Sequence, residues 1–405
     1  FIAGLKNSSF PGSCQEFDLA SLLESREQGH DLGAVSLNDR SGFDAGRDLI
    51  AARTSDSFTR FDGNLNGLVD PKLVRTNVLS STRLQEWFRC PHSYFIRHVL
   101  GVDEPEFFRH EFRISPIVRG SLIHEAADRF FQDQISKGSP AGPGRRYTED
   151  DLLSMRQFGA EVATEFETQG LVGRPLFWRR DREQLLNDLA GILKFDHQRE
   201  PRGTVIATEL KFGLPGADFP PLQRELPSGR TVAFRGSIDR VEKASPEGLV
   251  VVDYKTGKRD TYKKLSSENP ILRGAQLQLP LYALAANAYL GEGNSEVHAN
   301  YWFASNSQRW ATAGYLVTGD VLDSFDKAVD TIVKGIEEGV FPSRPEPSES
   351  KWTGLGKCVF CDPDQLGTKG IDDRWEAISR SEMLSPYVHL WVEDAALEDE
   401  ILAND

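Results

Sequence analysis

The chain has 405 residues, of which 39% are hydrophobic and 27% charged, and a formal net charge of -14. Those fractions belong to an ordinary globular protein of one large or two smaller domains, and they exclude collagenous and disordered chains. Four cysteines exclude a disulfide scaffold and no run is apolar enough to span a bilayer, so a cytoplasmic protein is expected.

Residues 1–77 mix Gly, Ser, Asp and Asn without a clean period and read as an irregular or partly helical lead-in. The chain starts at Phe1, so a piece of a longer protein is expected, with this lead-in as the tail of a preceding region. Ser80 and Ser81 can cap a helix through "TRLQEWFRC", which Pro91 interrupts. "SPIVRGSLIHEAADRFFQDQI" predicts an amphipathic helix with Ile123, Ala127, Phe130 and Phe131 on its inner face. After the loop "SPAGPGRR", residues 149–198 are predicted helical, so residues 135–200 form a helical insertion. From about residue 203 the pattern turns to β: "TVIATELKFG", "RTVAFRGSIDRVEKA" and "GLVVVDYKTG" are runs separated by Gly, Pro and Ser. A helix beginning near Gln276, strands at "VHANYWFA" and "RWATAGYLV", and a helix at "VLDSFDKAVDTIVKGIEEG" follow. A loop-rich region contains "KCVFC", and residues 386–405 form an acidic tail. This is a helical N-terminal half leading into an α/β core.

The net acidity counts against indiscriminate nucleic-acid binding, which needs a basic surface. The charge is uneven, however. "VEDAALEDEILAND" is strongly acidic, while "FWRRDR" and "KTGKRDTYKK" are basic, which leaves room for a confined basic channel.

The stretch "VVVDYKTGK" sets the chemical question, because an apolar strand has no structural need for Asp253 and Lys255 at its end. A hairpin turning at Pro246 puts Asp239 opposite Asp253, with Cβ atoms roughly 4.5–5.5 Å apart. Two like charges that close call for a neutralising partner, and a hard divalent cation such as Mg²⁺ prefers carboxylate oxygen. Strand alternation sets Lys255 on the same face as Asp253. The arrangement suits metal-assisted phosphodiester hydrolysis. The plain alternative is that Asp253 and Lys255 decorate a solvated strand tip. Gln278 and Tyr282, four apart, share a helix face. Taken alone, they read as an exposed amide and a half-buried phenol, and His124 as a packed or surface histidine.

Together these residues resemble the PD-(D/E)XK nucleases of the RecB/AddB type. "LSSTRLQEWFRCPHSYFIRHVLGV", "RGSLIHEAADRF", "GSIDRVE", "VVDYKTGK" and "QLQLPLYALA" follow the family's order over residues 78–385. The resemblance implies a restriction-endonuclease-like core: a mixed central sheet flanked by helices. It implies that His124, Asp239 and Asp253, with the carbonyl of Tyr254, bind Mg²⁺ or Mn²⁺. Lys255 would position a water, Gln278 and Tyr282 would hold the strand and DNA backbone, and Glu209 would be a further acidic member. The implied substrate is single-stranded DNA or duplex ends, and the implied partner a helicase motor in a longer chain or a separate protein. There is no Walker A sequence, so this chain is not expected to hydrolyse ATP. AddB-type members also carry a 4Fe–4S cluster. Cys90, Cys358 and Cys361 match three of its ligands, but the fourth position is Gly367. Either Cys14 or His92 completes the set from a place the family does not use, or the cluster is incomplete or absent and the cysteines are a packed remnant. A catalytically silent DNA-binding scaffold on the same fold, and an unrelated α/β enzyme with a coincidental D-x-K, are the competing readings.

Overall fold

The valine-rich strand is the middle strand of a five-stranded sheet and is covered on both faces. The computed structural model describes residues 41–68, 78–102, 112–244, 248–291, 295–344, 360, 369–388 and 390. Residues Phe1–Ser55 form one unit and Asp56–Asp405 another. Helix α1 (Ser41–Arg53) is the described element of the first.

In the second unit, α2 (Ser81–Arg89) starts on Ser80, whose hydroxyl accepts the Arg83 N–H at 3.3 Å. It ends at Cys90, and Pro91 opens the short α3 (Pro91–Tyr94) at the position where its missing N–H costs least. Three long helices follow: α4 (Pro116–Ser136), α5 (Glu149–Thr168) and α6 (Pro175–Asp196). Ile123, Ala127, Phe130 and Phe131 are buried on α4 as their spacing predicts. The strands β1 (Thr204–Phe212), β2 (Leu222–Glu225), β3 (Thr231–Phe234), β4 (Gly236–Ala244) and β5 (Gly248–Lys255) come next. They are followed by α7 (Gln278–Leu290), β6 (Val297–Phe303), β7 (Thr312–Leu316), α8 (Gly319–Glu337) and α9 (Lys369–Ile378).

The large sheet has the order β1-β4-β5-β6-β7 and is mixed: β5 pairs parallel with β6, and its other pairings are antiparallel. Val250, Val252 and Tyr254 pack among apolar residues of α4, α5 and α6. Leu249 and Val251 pack on the opposite side with α7 and α8. An apolar run without alternation is what a strand covered on both faces requires.

Two expectations shift. The run "RTVAFRGSIDRVEKA" is not one strand: the chain leaves the ladder at Arg235, so β3 pairs with β2 in a separate two-stranded sheet and only β4 joins the large one. The helix expected from Gln276 begins at Gln278, which keeps Pro280 within the first turn, where its lack of an N–H breaks no bond. The turn at Pro246 lies outside the described residues.

The helical insertion is joined to the sheet by buried charge. Arg240 and Glu242 on β4 meet Asp196 at the end of α6 together with Arg199, all nearly inaccessible to solvent. Arg240 lies 3.2 Å from Asp196, Arg202 reaches Asp196 at 3.0 Å, and Arg199 pairs with Glu242. Burial works against charge on Asp196, but the guanidiniums of Arg240, Arg199 and Arg202 outweigh it and hold the carboxyl well below the usual range. A carboxyl depressed on folding contributes stability above its unfolded value near 3.8 and loses it as pH falls further. The unfolding free energy, measured in urea, is therefore expected to be flat in this contribution above about pH 5 and to fall steadily below about pH 4. Asp196→Asn leaves Arg240 partly uncompensated and is expected to cost about 3–5 kcal/mol at neutral pH.

On the other face, α8 meets α2 where Gly335 faces Trp87, whose indole N–H donates to the Val340 carbonyl at 3.2 Å. A Cβ at Gly335 would fall 2.3 Å from the Trp87 ring. Alanine gains up to about 1 kcal/mol of helix propensity over glycine, but overpacking costs about 1–3 kcal/mol. Gly335→Ala should thus lower the urea midpoint with little change in its slope.

Candidate active site

Helix α4 carries His124 to the sheet on a polar stripe. Its N-cap Ser115 accepts the Val118 N–H at 3.2 Å and Pro116 pre-sets the first turn. One and two turns beyond His124, Asp128 and Gln132 grip Thr208 of β1: the Thr208 hydroxyl donates to Asp128, and the Gln132 amide donates to Thr208 Oγ1 at 3.0 Å. This docking leaves the imidazole at the end of β5. Its Nε2 lies 3.1 Å from the Tyr254 carbonyl oxygen, and its Nδ1 lies 3.3 Å from Asp239 and 3.9 Å from Glu209.

The carboxylates are aligned by strand register. The pairs Thr208↔Arg240 and Leu210↔Ile238 bracket Glu209 and Asp239, which therefore stand side by side on β1 and β4. The β4–β5 ladder ends at Arg240↔Val252, and one step further Asp239 faces Asp253. There a side chain replaces the ladder: the Tyr254 N–H donates to Asp239 Oδ2 at 2.6 Å. Glu209 sits at φ +44, a left-handed conformation unusual for a non-glycine residue inside a strand and worth about 1–3 kcal/mol of strain. Its carboxylate accepts the Ser237 hydroxyl at 2.8 Å. Ligand atoms of His124, Glu209 and Asp239 all lie within 4.8 Å of one another.

The second half of the site is a buried ion pair. Lys255 Nζ lies 2.6 Å from Asp253 Oδ2, donates to Gln278 Oε1 at 2.8 Å, and rides 4.8 Å from the centre of the Tyr301 ring. The Gln278 amide reaches the Tyr282 hydroxyl at 3.5 Å. All the residues singled out around the D-x-K strand thus converge, but with different neighbours. Asp239 joins His124 and Glu209, whereas the Asp253 carboxylate is turned to Lys255.

Burial sets the electrostatics, and the neighbours decide its outcome. Burial opposes charge on His124, but the Asp239, Asp253 and Glu209 carboxylates win and raise it to about 9. Burial pushes Asp253 up to about 6, the Lys255 ammonium notwithstanding, with Asp239 adding to the rise. Burial and then Asp239 raise Glu209. Lys255 is disfavoured as a cation by burial, yet Asp253 raises it overall, so it is an ammonium at neutral pH. These are the signs of a site with an excess of carboxylate, one that a divalent cation would relieve. A donor set of one imidazole, two or three carboxylates and a backbone carbonyl fits Mg²⁺ or Mn²⁺.

Ser237 and Tyr301 were not among the residues singled out from sequence. Ser237 stands two before Asp239 in "GSIDR", so strand alternation could have placed it on the same face. Tyr301 pairs with Asp253 across the parallel β5–β6 ladder, a register that no local pattern carries.

The cysteine set fits less well. Cys90 lies at the extended junction of α2 and α3. Cys14, Cys358, Cys361 and Gly367 lie outside the described residues. Gly367 has no side-chain donor, so the three thiols in family positions leave a four-coordinate cluster one ligand short.

A D-x-K strand beside a carboxylate–histidine cluster is an arrangement suited to metal-assisted phosphodiester chemistry, and the family comparison agrees. The PD-(D/E)XK nuclease superfamily matches residues 78–365, and the chain belongs to it. Its curated relatives include the B-type chain of the ATP-dependent helicase/deoxyribonuclease of Moorella thermoacetica, 29% identical over 51% of this chain and 17% of that protein. The Clostridium tetani protein of the same name is 27% identical over 65% of this chain and 23% of its own length. The Geobacillus kaustophilus one is 30% identical over 44% and 15%. The chain thus spans about a fifth of the length of these relatives. Among the described residues no helix is long and apolar enough to cross a membrane.

The Asp253–Lys255 pair makes its own prediction. Lys255 is about a fifth exposed and Asp253 nearly buried, so Asp253→Ala strands a largely desolvated ammonium and should cost about 2–4 kcal/mol. Adding Lys255→Met removes the stranded charge, and a double-mutant cycle in urea should show the second change recovering part of that loss.

Proposed function

We propose that this chain is a Mg²⁺- or Mn²⁺-dependent DNA nuclease, and the nuclease part of a longer helicase–nuclease. The observation that carries the reading is the meeting of His124, Glu209 and Asp239 within ligand distance of one another, directly beside the Asp253–Lys255 pair. In this reading His124, Glu209, Asp239 and the Tyr254 carbonyl hold the cation, with Asp253 at its edge. The cation, when bound, supplies Lewis-acid stabilisation of charge on the phosphate and lowers the pKa of a water.

The chain's own residues do the rest. Lys255, kept charged by Asp253, is not a proton acceptor at neutral pH; it orients the attacking water and offsets negative charge gathering on the phosphoryl oxygens. Gln278 fixes the ammonium through its 2.8 Å hydrogen bond, and Tyr282, itself buried, fixes the amide. Water adds to phosphorus as the bond to the 3′ oxygen breaks in line with it; the water's proton passes to solvent and the 3′ oxygen takes one up, so the products are a 5′-phosphate and a 3′-hydroxyl. Single-stranded DNA and duplex ends are the proposed substrates. The helicase partner is proposed from the relatives' shared description as helicase/deoxyribonuclease chains.

Degradation of single-stranded DNA in Mg²⁺ and in Mn²⁺ tests this. Asp239→Asn and Asp253→Asn, each confirmed folded by circular dichroism, should lose more than the roughly 10–100-fold that changes one shell further out cost at metal sites. EDTA should abolish cleavage by the unaltered chain. If the unaltered chain leaves DNA whole with both metals, the silent-scaffold reading replaces this one.

A further inference from the structure

The metal centre occupies one end of the sheet, and the loops at that end flank it with basic groups. Both β1 and β5 run antiparallel to β4, and β6 runs parallel to β5, so the C-terminal ends of β1, β5 and β6 share an end with the start of β4. Across that end, in sheet order, lie the loop after β1 with Arg235 before β4, then the metal centre, then the loop after β5, then the β6–β7 turn.

The loop after β5 begins at Lys255 itself. Over residues 258–264, Lys258, Arg259, Lys263 and Lys264 are all exposed against one carboxylate, Asp260, in a chain whose net charge is -14; a second carboxylate, Glu268, comes further along the loop. Lys263 pairs with Asp260 at 2.7 Å, a fully exposed contact that holds neither strongly. The loop is nonetheless anchored. The Tyr262 ring packs edge-on against Tyr301 and Phe303, with centroids 4.8 and 5.3 Å away, and the Arg259 N–H donates to Gln308 Oε1 at 3.1 Å. Tyr301 is the same ring that lies under Lys255, so the basic loop and the ammonium share one support.

On the other flank, a groove of about 570 Å³ opens between the loop after β1 and the approach to β4. Arg83 and Arg235 line it against one carboxylate, Asp218, with Gly213 and Phe219 among its walls. Gly236, which follows Arg235, lies against Tyr282: a Cβ there would meet the phenol ring at 3.0 Å. The groove therefore adjoins the centre from the Tyr282 side. Neighbouring strands lie about 4.8 Å apart, so β1 to β6 spans about 14 Å, roughly the reach of a few nucleotides.

We propose that one DNA strand crosses this end of the sheet transverse to the β-strands. Lys258 and Arg259 hold its phosphates on one side of the metal centre, and Arg235 holds them on the other. The proposal rests on the nuclease reading and adds the path that the substrate follows through it. It also resolves how an acidic protein engages a polyanion: the favourable field is confined to the rim of the site.

The test is equilibrium binding of a fluorescein-labelled oligothymidylate in EDTA, over a series of salt concentrations, to the whole chain. Four proteins are compared: unaltered, Lys258→Gln with Arg259→Gln, Arg235→Gln, and Lys137→Gln as an exposed basic control just past the C-terminal end of α4. Each lost phosphate contact on a single strand lowers the slope of log K against log salt by about 0.7. The double variant should lose about 1.4 of slope and Arg235→Gln about 0.7, with weaker binding at low salt, while Lys137→Gln matches the unaltered chain. Unchanged slopes in the rim variants, an equal loss in Lys137→Gln, or no binding by the unaltered chain each overturn the path. Cleavage is scored separately in Mg²⁺ and Mn²⁺. A chain that binds with the full slope but cuts nothing overturns the nuclease reading and leaves the path standing.

Discussion

Like charge held at close quarters is the constraint from which the site follows. Glu209, Asp239 and Asp253 stand in a row across β1, β4 and β5, Asp239 and Asp253 buried and Glu209 half-buried, where their repulsion is weakly screened. The protein compensates with two cations of different kinds. His124 is raised by the carboxylates around it, and Lys255 by Asp253. The Tyr254 N–H, given to Asp239 in place of a ladder carbonyl, adds a third source of positive potential. The imidazole is the component that a divalent ion would convert from counter-charge to ligand, which ties metal affinity to proton release.

Such a centre needs a rigid frame, and the frame is built on both faces of two neighbouring strands, β4 and β5. On the insertion side, Arg240 and Glu242 alternate with the site residues along β4 and are locked to Asp196 and Arg199, so the strand that carries Asp239 cannot rotate. On the other side, Gln278 at the start of α7 fixes Lys255. The strained backbone at Glu209 is the local cost of aiming a third carboxylate inward from an edge strand. Function and stability thus draw on the same two strands, with alternate residues serving each.

The electrostatics of the whole chain and of the site have opposite signs. Acidic residues give solubility and discourage indiscriminate contact with nucleic acid, while the loop that leaves β5 carries its basic residues at the rim.

Much of this was legible in the residues themselves. The apolar run of β5, the helical spacing of Ile123, Ala127, Phe130 and Phe131, the cap at Ser80, and the D-x-K spacing are local signals, and local sterics and periodicity determine them. The facing of Asp239 and Asp253 was legible too, since a short hairpin leaves few registers. Other features depended on contacts between segments far apart in the chain, which no local pattern encodes. These are the break at Arg235 that sends β3 and β4 to different sheets, the turning of Asp253 to Lys255, the entry of Glu209 through a left-handed backbone, and the Arg240–Asp196 network. The sequence by itself determined which groups could do chemistry and on which elements they lie. Only tertiary packing decided which carboxylate meets the imidazole and which meets the amine, because that choice is made by burial and long-range charge.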